Sequence, residues 1–170
     1  MSGPDSAPAP SWAGVRLAVI TCSTRAAQGV YPDRGGELIA STARSWGAEV
    51  TGPDVVSDGP EVTQALRRAL DSGANVVLTT GGTGLTPTDG TPEATRPLLE
   101  REVPGIAEAM RAYGVASGVP TATLSRGLAG IVGEALVVNL PGSTGGVRDA
   151  LAVLGPVVPH AILQLIGGDH

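Results

Sequence analysis

The chain has no lysine: all eleven basic side chains among its 170 residues are arginine. That excludes a Schiff-base lysine and the lysine of a Walker P-loop. Phenylalanine is also absent and aromatics reach only 2%, so the core has to be aliphatic. Such a core favours interleaved strands and helices over an aromatic-rich β-barrel. The single cysteine, Cys22, excludes an internal disulfide and a cysteine-based zinc cluster. Positive charge is in deficit, with a net charge of −5, which argues against nucleic acid as the main partner. The glycine patterns of a P-loop, of a dinucleotide fold after the first strand and of a serine nucleophile elbow are all missing. The first stretch, MSGPDSAPAPSWAG, has neither a basic nor an apolar region. Residues 1–14 therefore read as a disordered tail rather than a signal peptide. No uninterrupted apolar run approaches the roughly 20 residues of a membrane span. No membrane association and a cytoplasmic location are the expectations.

What is present is enough for one domain with a full core, from Val15 to His170. Val15 to Cys22 reads as a buried strand followed by the loop STRAAQGVYPD. A helix should start at Asp33 as cap and end near Trp46, before Gly47. A second strand spans Ala48 to Val56 with a break at Gly52-Pro53. A second helix opens at Ser57–Glu61, with Val62, Ala65, Leu66, Ala69 and Leu70 at helical spacing. Asn75 to Thr80 is the third strand. This β-α-β-α-β order predicts right-handed crossovers and a mostly parallel sheet covered on both faces, a three-layer α/β/α sandwich. Further on, short helices are expected over Pro92–Arg101 and Pro104–Val115, with Ile106, Ala109, Met110 and Tyr113 forming the apolar stripe of the latter. Gly130–Gly133 and Ala135–Leu140 look like an antiparallel strand pair. The last helical stretch, Val147–Ile166, should break or kink at Pro156 and Pro159.

The stretch with most chemistry in it is TTGGTGLTPTDGTPEAT, Thr79 to Thr95. Three glycines in four positions let backbone N–H groups approach a ligand closely. Thr91 is placed to cap a helix whose first position is Pro92. Between them lies Asp89, which is either a turn residue of an Asp-Gly pair or a ligand. Asp58, with Glu61 three residues on, fits a capping box, but it also follows a strand that should neighbour the third one. In a parallel sheet those two loops converge, so Asp58 and Asp89 could face one cleft. Carboxylates and bound phosphate repel, and no lysine is there to neutralise them. A Mg²⁺ held by one or two carboxylates and by substrate phosphates resolves the conflict. A second glycine turn, Pro141–Gly146, is either a plain strand-to-helix turn or a ligand loop. Ser23-Thr24-Arg25 and Ser125-Arg126 are either phosphate contacts or solvated residues. Cys22 reads as a core residue and His160 as a packed or interface residue.

TTGGTG, the following acid and TPEAT, together with VRLAVITCST, VVSDGPEV and LPGSTGGVRDAL, resemble the MogA/MoaB family of molybdenum cofactor biosynthesis over Val15 to Ile166. The resemblance implies an α/β/α sandwich, usually a homotrimer. Its best-characterised members adenylylate molybdopterin from Mg-ATP and release pyrophosphate. Carried onto this chain, it makes Asp58 and Asp89 the catalytic and Mg²⁺-binding acids. Thr80, Gly81, Gly82, Thr83 and Gly84, with Pro141, Gly142 and Ser143, would hold molybdopterin and ATP phosphates, and Ser23, Ser125 and Arg126 would assist. The alternative is a non-catalytic module that binds molybdopterin or a precursor for delivery. Either way a hand-over to a molybdenum-insertion protein is implied. Many members place Arg before the second acid, where this chain has Thr88. Arg25, Arg126 and Arg148 are the cations available to replace it.

Overall fold

The computed structural model describes residues 8–168. Its strands are β1 (Arg16–Cys22), β2 (Glu49–Val56), β3 (Val76–Thr80), β4 (Arg101–Glu102), β5 (Ala129–Val132) and β6 (Ala135–Leu140). Its helices are α1 (Thr24–Ala27), α2 (Arg34–Ser45), α3 (Pro60–Asp71), α4 (Thr91–Thr95), α5 (Pro104–Ala116) and α6 (Thr144–Leu165). The strands form one sheet in the order β2-β1-β3-β6-β5-β4. β2, β1, β3 and β6 are mutually parallel, and β5 pairs antiparallel with both β6 and β4. The parallel α/β sandwich and the antiparallel β5–β6 pair thus stand as expected. The pleat sorts the strands onto two faces. Leu17, Val19, Leu78, Leu136, Val138 and Leu140 point to the face covered by α2, α5 and α6. Ala18, Ile20, Cys22, Val77 and Val137 point to the face under α3.

Several local expectations fail for identifiable reasons. The disordered tail expected up to residue 14 does not reach Trp12, which is fully buried; residues 1–7 lie outside the described residues. The final helix does not divide into two pieces: α6 runs unbroken for 22 residues with Pro156 and Pro159 inside it. Pro159 has no N–H to give the carbonyl of Gly155, four residues back. The indole Nε1–H of Trp12 donates to that carbonyl at 3.0 Å instead. The carbonyl that Pro156 leaves open belongs to Ala152, an exposed position where water can serve. The N-terminal segment therefore repairs the helix that its distant proline would weaken. By length and mean hydropathy (1.3) α6 could cross a bilayer, but Arg148, Asp149, His160 and Gln164 interrupt it, so it is not an uninterrupted apolar run of that length. Here it packs against β6, α2 and α5 through Val147, Leu151, Leu154 and Val158.

The helix expected over Pro92–Arg101 is cut to α4 and a 3-10 turn, Arg96–Leu98. Pro97 withdraws a donor and constrains Arg96, and the chain then extends into β4. In α5, Ile106, Ala107, Met110 and Gly114 are the buried positions, while Tyr113 faces solvent. The loop after β1 carries the one-turn helix α1, capped by the Ser23 hydroxyl, which accepts from the Ala26 N–H at 3.2 Å.

Candidate functional site

The carboxyl ends of β1, β2, β3 and β6 surround a cleft of about 940 Å³. Its floor is made by β1 and β3, and its rim by the segment Ser23–Gly35, the Asp58 turn, the stretch Thr80–Asp89 and Gly142. Open parallel sheets bind ligands at this edge because the loops there are free to diverge from one packed scaffold.

The glycine loop after β3 is shaped by what cannot be accommodated. Gly81 and Gly82 have φ of +92° and +67°, in the left-handed region. A Cβ on Gly81 would stand 2.4 Å from the Cys22 carbonyl oxygen, and one on Gly82 2.2 Å from Thr91 Oγ1. Thr91 is not the helix cap expected of it. Gly90 occupies that position, and Thr91 is the first helical residue. Its hydroxyl donates to the Gly81 carbonyl at 2.9 Å and its N–H to the Gly82 carbonyl at 3.0 Å. That bolts α4 to the loop.

Asp58 and Asp89 both line the cleft. The capping box expected of Asp58 does not form, because α3 starts at Pro60 with Gly59 before it and has no side-chain cap. Instead Asp58 Oδ2 accepts from Thr24 Oγ1–H at 3.0 Å and from the Thr24 N–H at 3.2 Å, and its own N–H donates to Thr24 Oγ1 at 3.1 Å. Asp89 is held within its own loop, with Oδ2 accepting from the Thr86 N–H at 3.1 Å. The two acids flank the glycine loop. The place of a Cβ on Gly82 lies 3.3 Å from Asp58 Oδ1, and that on Gly84 lies 2.8 Å from Asp89 Oδ2. Neither acid is in an ion pair among the described residues. Each keeps one oxygen, Oδ1, without a hydrogen-bond donor from the described residues. No cluster of three metal-ligating side chains exists among those residues. This donor set suits a Mg²⁺ shared with substrate phosphates, not one caged by protein alone.

The remaining expected residues separate into cleft and support. Gly81, Gly82, Gly142, Thr80 and Ser23 line the cleft. The Thr80 hydroxyl donates to the Pro141 carbonyl at 2.6 Å, so it joins the two glycine loops. Ser23 Oγ lies 2.9 Å from the Tyr31 hydroxyl. Pro141, Ser143 and Ser125 line a second cavity of about 410 Å³ between α5 and α6, and Ser143 also caps α6. Thr83 is buried behind the loop. Arg126 does not line the cleft. Its backbone N–H donates to the Thr83 carbonyl, its Nε–H to the Gly84 carbonyl at 2.8 Å, and an Nη2–H to the Asp89 carbonyl at 2.9 Å. Its other terminal nitrogen pairs with Glu93, and that bond holds the Glu93 carboxyl below its usual pKa. Arg126 is thus a brace behind the acid loop. Arg148 lines the second cavity. Of the three cations named as replacements for the one missing at Thr88, only Arg25 reaches the cleft.

Thr24, expected as a phosphate contact or a solvated residue, instead anchors Asp58. Two positions were not singled out from sequence: Tyr31 supplies the aromatic ring at the rim, and Asn139 is a buried hub. The Asn139 amide donates to Thr79 Oγ1 at 3.0 Å and Thr95 Oγ1 at 3.1 Å, and its oxygen accepts from the Leu128 N–H at 3.2 Å. A polar residue inside the apolar run ALVVNL was the available signal, because a buried amide has to find partners.

The family described as "Probable molybdopterin binding domain" matches residues 18–160. A molybdenum cofactor biosynthesis bifunctional protein of Synechococcus elongatus is 41% identical over 98% of this chain, which spans 52% of that protein's length. The molybdopterin adenylyltransferase of Helicobacter pylori J99 is 33% identical, over 90% of this chain and 89% of that enzyme. The molybdopterin biosynthesis Mog protein from Mycobacterium ulcerans superposes with a TM-score of 0.82 at 46% identity, covering 89% of this chain and 99% of that one. The chain belongs to the MogA/MoaB family of molybdopterin-binding domains in molybdenum cofactor biosynthesis.

Proposed function

We propose that this chain is a molybdopterin adenylyltransferase: it joins the terminal phosphate of molybdopterin to the AMP moiety of ATP and releases pyrophosphate. The observation that supports this most directly is the pair of carboxylates, each with an uncommitted oxygen, on either side of a glycine loop in one cleft. The attacking group is a phosphate monoester, already largely dianionic at neutral pH because its second pKa is ~6. No strong general base is needed. A phosphate oxygen bonds to the α-phosphorus as the bond from that phosphorus to the bridging oxygen breaks, and pyrophosphate carries the electron pair away. Asp58 and Asp89 would hold the Mg²⁺, whose contribution is to neutralise charge on the α-phosphate and the leaving group. The Gly81–Gly82 backbone approaches the phosphates, and Thr80 keeps the two glycine loops in register. Purified protein given molybdopterin, ATP and Mg²⁺ should release pyrophosphate stoichiometrically with adenylylated pterin.

Thr88 favours a second reading, since it puts a hydroxyl at the cleft where the family resemblance implies an Arg. In that reading the chain binds molybdopterin or a precursor and delivers it without turnover. Pterin binding with no pyrophosphate release would establish it. Self-association as a homotrimer belongs to the same proposal and is supported by exposed Tyr113, Val115, Val119 and Leu124 around the end of α5. Sedimentation equilibrium tests it. Hand-over of the product to a molybdenum-insertion protein would be the next step.

A further inference from the structure

Charge in the cleft is unevenly placed. Of the eleven arginines, two line it, Arg25 on α1 and Arg34 at the first position of α2. Both are exposed, and neither side chain takes part in a hydrogen bond or ion pair among the described residues, whose three ion pairs use Arg68, Arg96 and Arg126. The acid beside Arg34 is already occupied: Asp33 Oδ1 accepts from the Gly36 N–H at 2.9 Å, and Oδ2 from Thr21 Oγ1–H at 2.7 Å. Those bonds fix the start of α2 against β1. Arg34 itself forms no ion pair among the described residues. Gly35 brings the same turn close to both glycine loops, with the place of its Cβ 3.2 Å from Thr80 Oγ1 and 3.7 Å from the Gly142 carbonyl oxygen. Arg25 follows Thr24, the residue bonded to Asp58. The half-buried acids stand deeper, beside the glycine loop, and the exposed arginines stand at the rim.

We propose that Arg25 and Arg34 hold the pyrophosphate portion of the nucleotide, a role that rests on the adenylylation reading. The reacting α-phosphate has to lie at the acids and the glycine loop. The two outer phosphates then extend toward the mouth, where paired cations neutralise the charge that develops on the leaving group. Arginine suits this because its planar fork bonds two phosphate oxygens at once. These two side chains also take over the task of the cation missing at Thr88. They reach the cleft from the β1–α2 segment, not from the glycine loop.

The probe is inorganic pyrophosphate with Mg²⁺, titrated calorimetrically into the intact protein. Arg25→Gln and Arg34→Gln should each weaken binding by about tenfold or more, and the double variant further, with a shallower salt dependence. Arg67→Gln, a charge-matched change on the outer side of α3, should leave affinity unaltered. In turnover, the KM for ATP should rise while that for molybdopterin holds, and Arg→Lys should restore part of the loss. Unchanged pyrophosphate affinity in the double variant, or no pyrophosphate binding by the parent protein, overturns the assignment. Arginine-dependent pyrophosphate binding without release of pyrophosphate from ATP and molybdopterin would keep it and remove the adenylylation reading instead.

Discussion

At the carboxyl edge of the sheet, polar side chains face open space and several are left with spare bonding capacity. At the amino edge, Trp12 is buried without remainder. Its ring packs against that of Trp46 at the end of α2, with centroids 5.0 Å apart and planes tilted by 58°; its indole N–H is spent on Gly155, and its backbone N–H donates to the Trp46 carbonyl. Gly155 is small because Pro10 and Trp46 sit where a Cβ would go, at 2.8 Å and 3.3 Å. One edge is closed by the bulkiest side chain in the sequence, and the other is held open by glycines and short hydroxyl residues. The contrast teaches that packing and the candidate binding cleft are placed at opposite ends of the same strands, so mutations at the two ends should separate cleanly.

Trp12→Ala should have the largest effect on stability, about 3–5 kcal/mol for a buried aromatic, which is a large fraction of a typical 5–15 kcal/mol total. Thermal or urea denaturation reads it. Trp12→Phe keeps an aromatic ring there but loses the indole's second ring and orphans the Gly155 carbonyl, and should cost less than Ala, at least about 1–3 kcal/mol. Pyrophosphate affinity should survive in either variant that still folds; its loss would mean the two edges are coupled. Asp89→Asn is the reciprocal test. It should lower kcat by about 10²–10³-fold with little change in denaturation midpoint, and a variant with full activity would remove Asp89 from the mechanism. Arg126→Ala should fall between, lowering kcat by about 10-fold to 100-fold because the acid loop loses its brace. Arg126→Lys should not rescue it, since one ammonium cannot span the Gly84 and Asp89 carbonyls together with Glu93. Recovery with lysine would mean that charge alone matters at that position.

How much of this could be read in advance follows from the range of the interactions. Strands, α2 and α3 are written locally, in runs such as VRLAVITC and in the spacing of Val62, Ala65, Leu66 and Ala69, and the structure places them there. The cleft was also legible, because convergence of the Asp58 and Asp89 loops follows from parallel strand order. What could not be read was long-range pairing of polar groups. Local pattern made Asp58 and Thr91 capping residues, and tertiary contacts with Thr24 and with the glycine loop won in both cases. Two prolines foretold a broken helix, and a tryptophan 143 positions away mended it. Arg126 has the sequence context of a phosphate ligand, but the carbonyls it serves exist only once the loop is folded.

Cys22 lies on the boundary between the two regions and gives the smallest, most diagnostic effect. It ends β1 under the glycine loop and is buried at the floor of the cleft, where its neighbours Ser23 and Thr24 are more open. Burial pushes its thiol up from an ordinary pKa of 9.0 to about 12; a hydrogen bond with Thr91 lowers it, and the charges of Asp58 and Asp54 raise it further. In the unfolded chain the thiol ionises near its ordinary value, whereas in the folded protein it stays protonated. Between pH 9 and about 12 the folded state therefore binds more protons than the unfolded one, and stability falls as pH rises. Below the ordinary pKa the contribution is fully present. In that window the slope approaches about 1.4 kcal/mol per pH unit for one group. Urea midpoints of the parent protein and Cys22→Ala, compared from pH 7 to 11, should converge as pH rises, because the variant lacks this term. Alkylation of the native thiol at pH 8.5 should be far slower than in urea. Parallel pH profiles together with fast native alkylation would mean that the Cys22 thiol is open to solvent, and would move the boundary between the regions one residue inward.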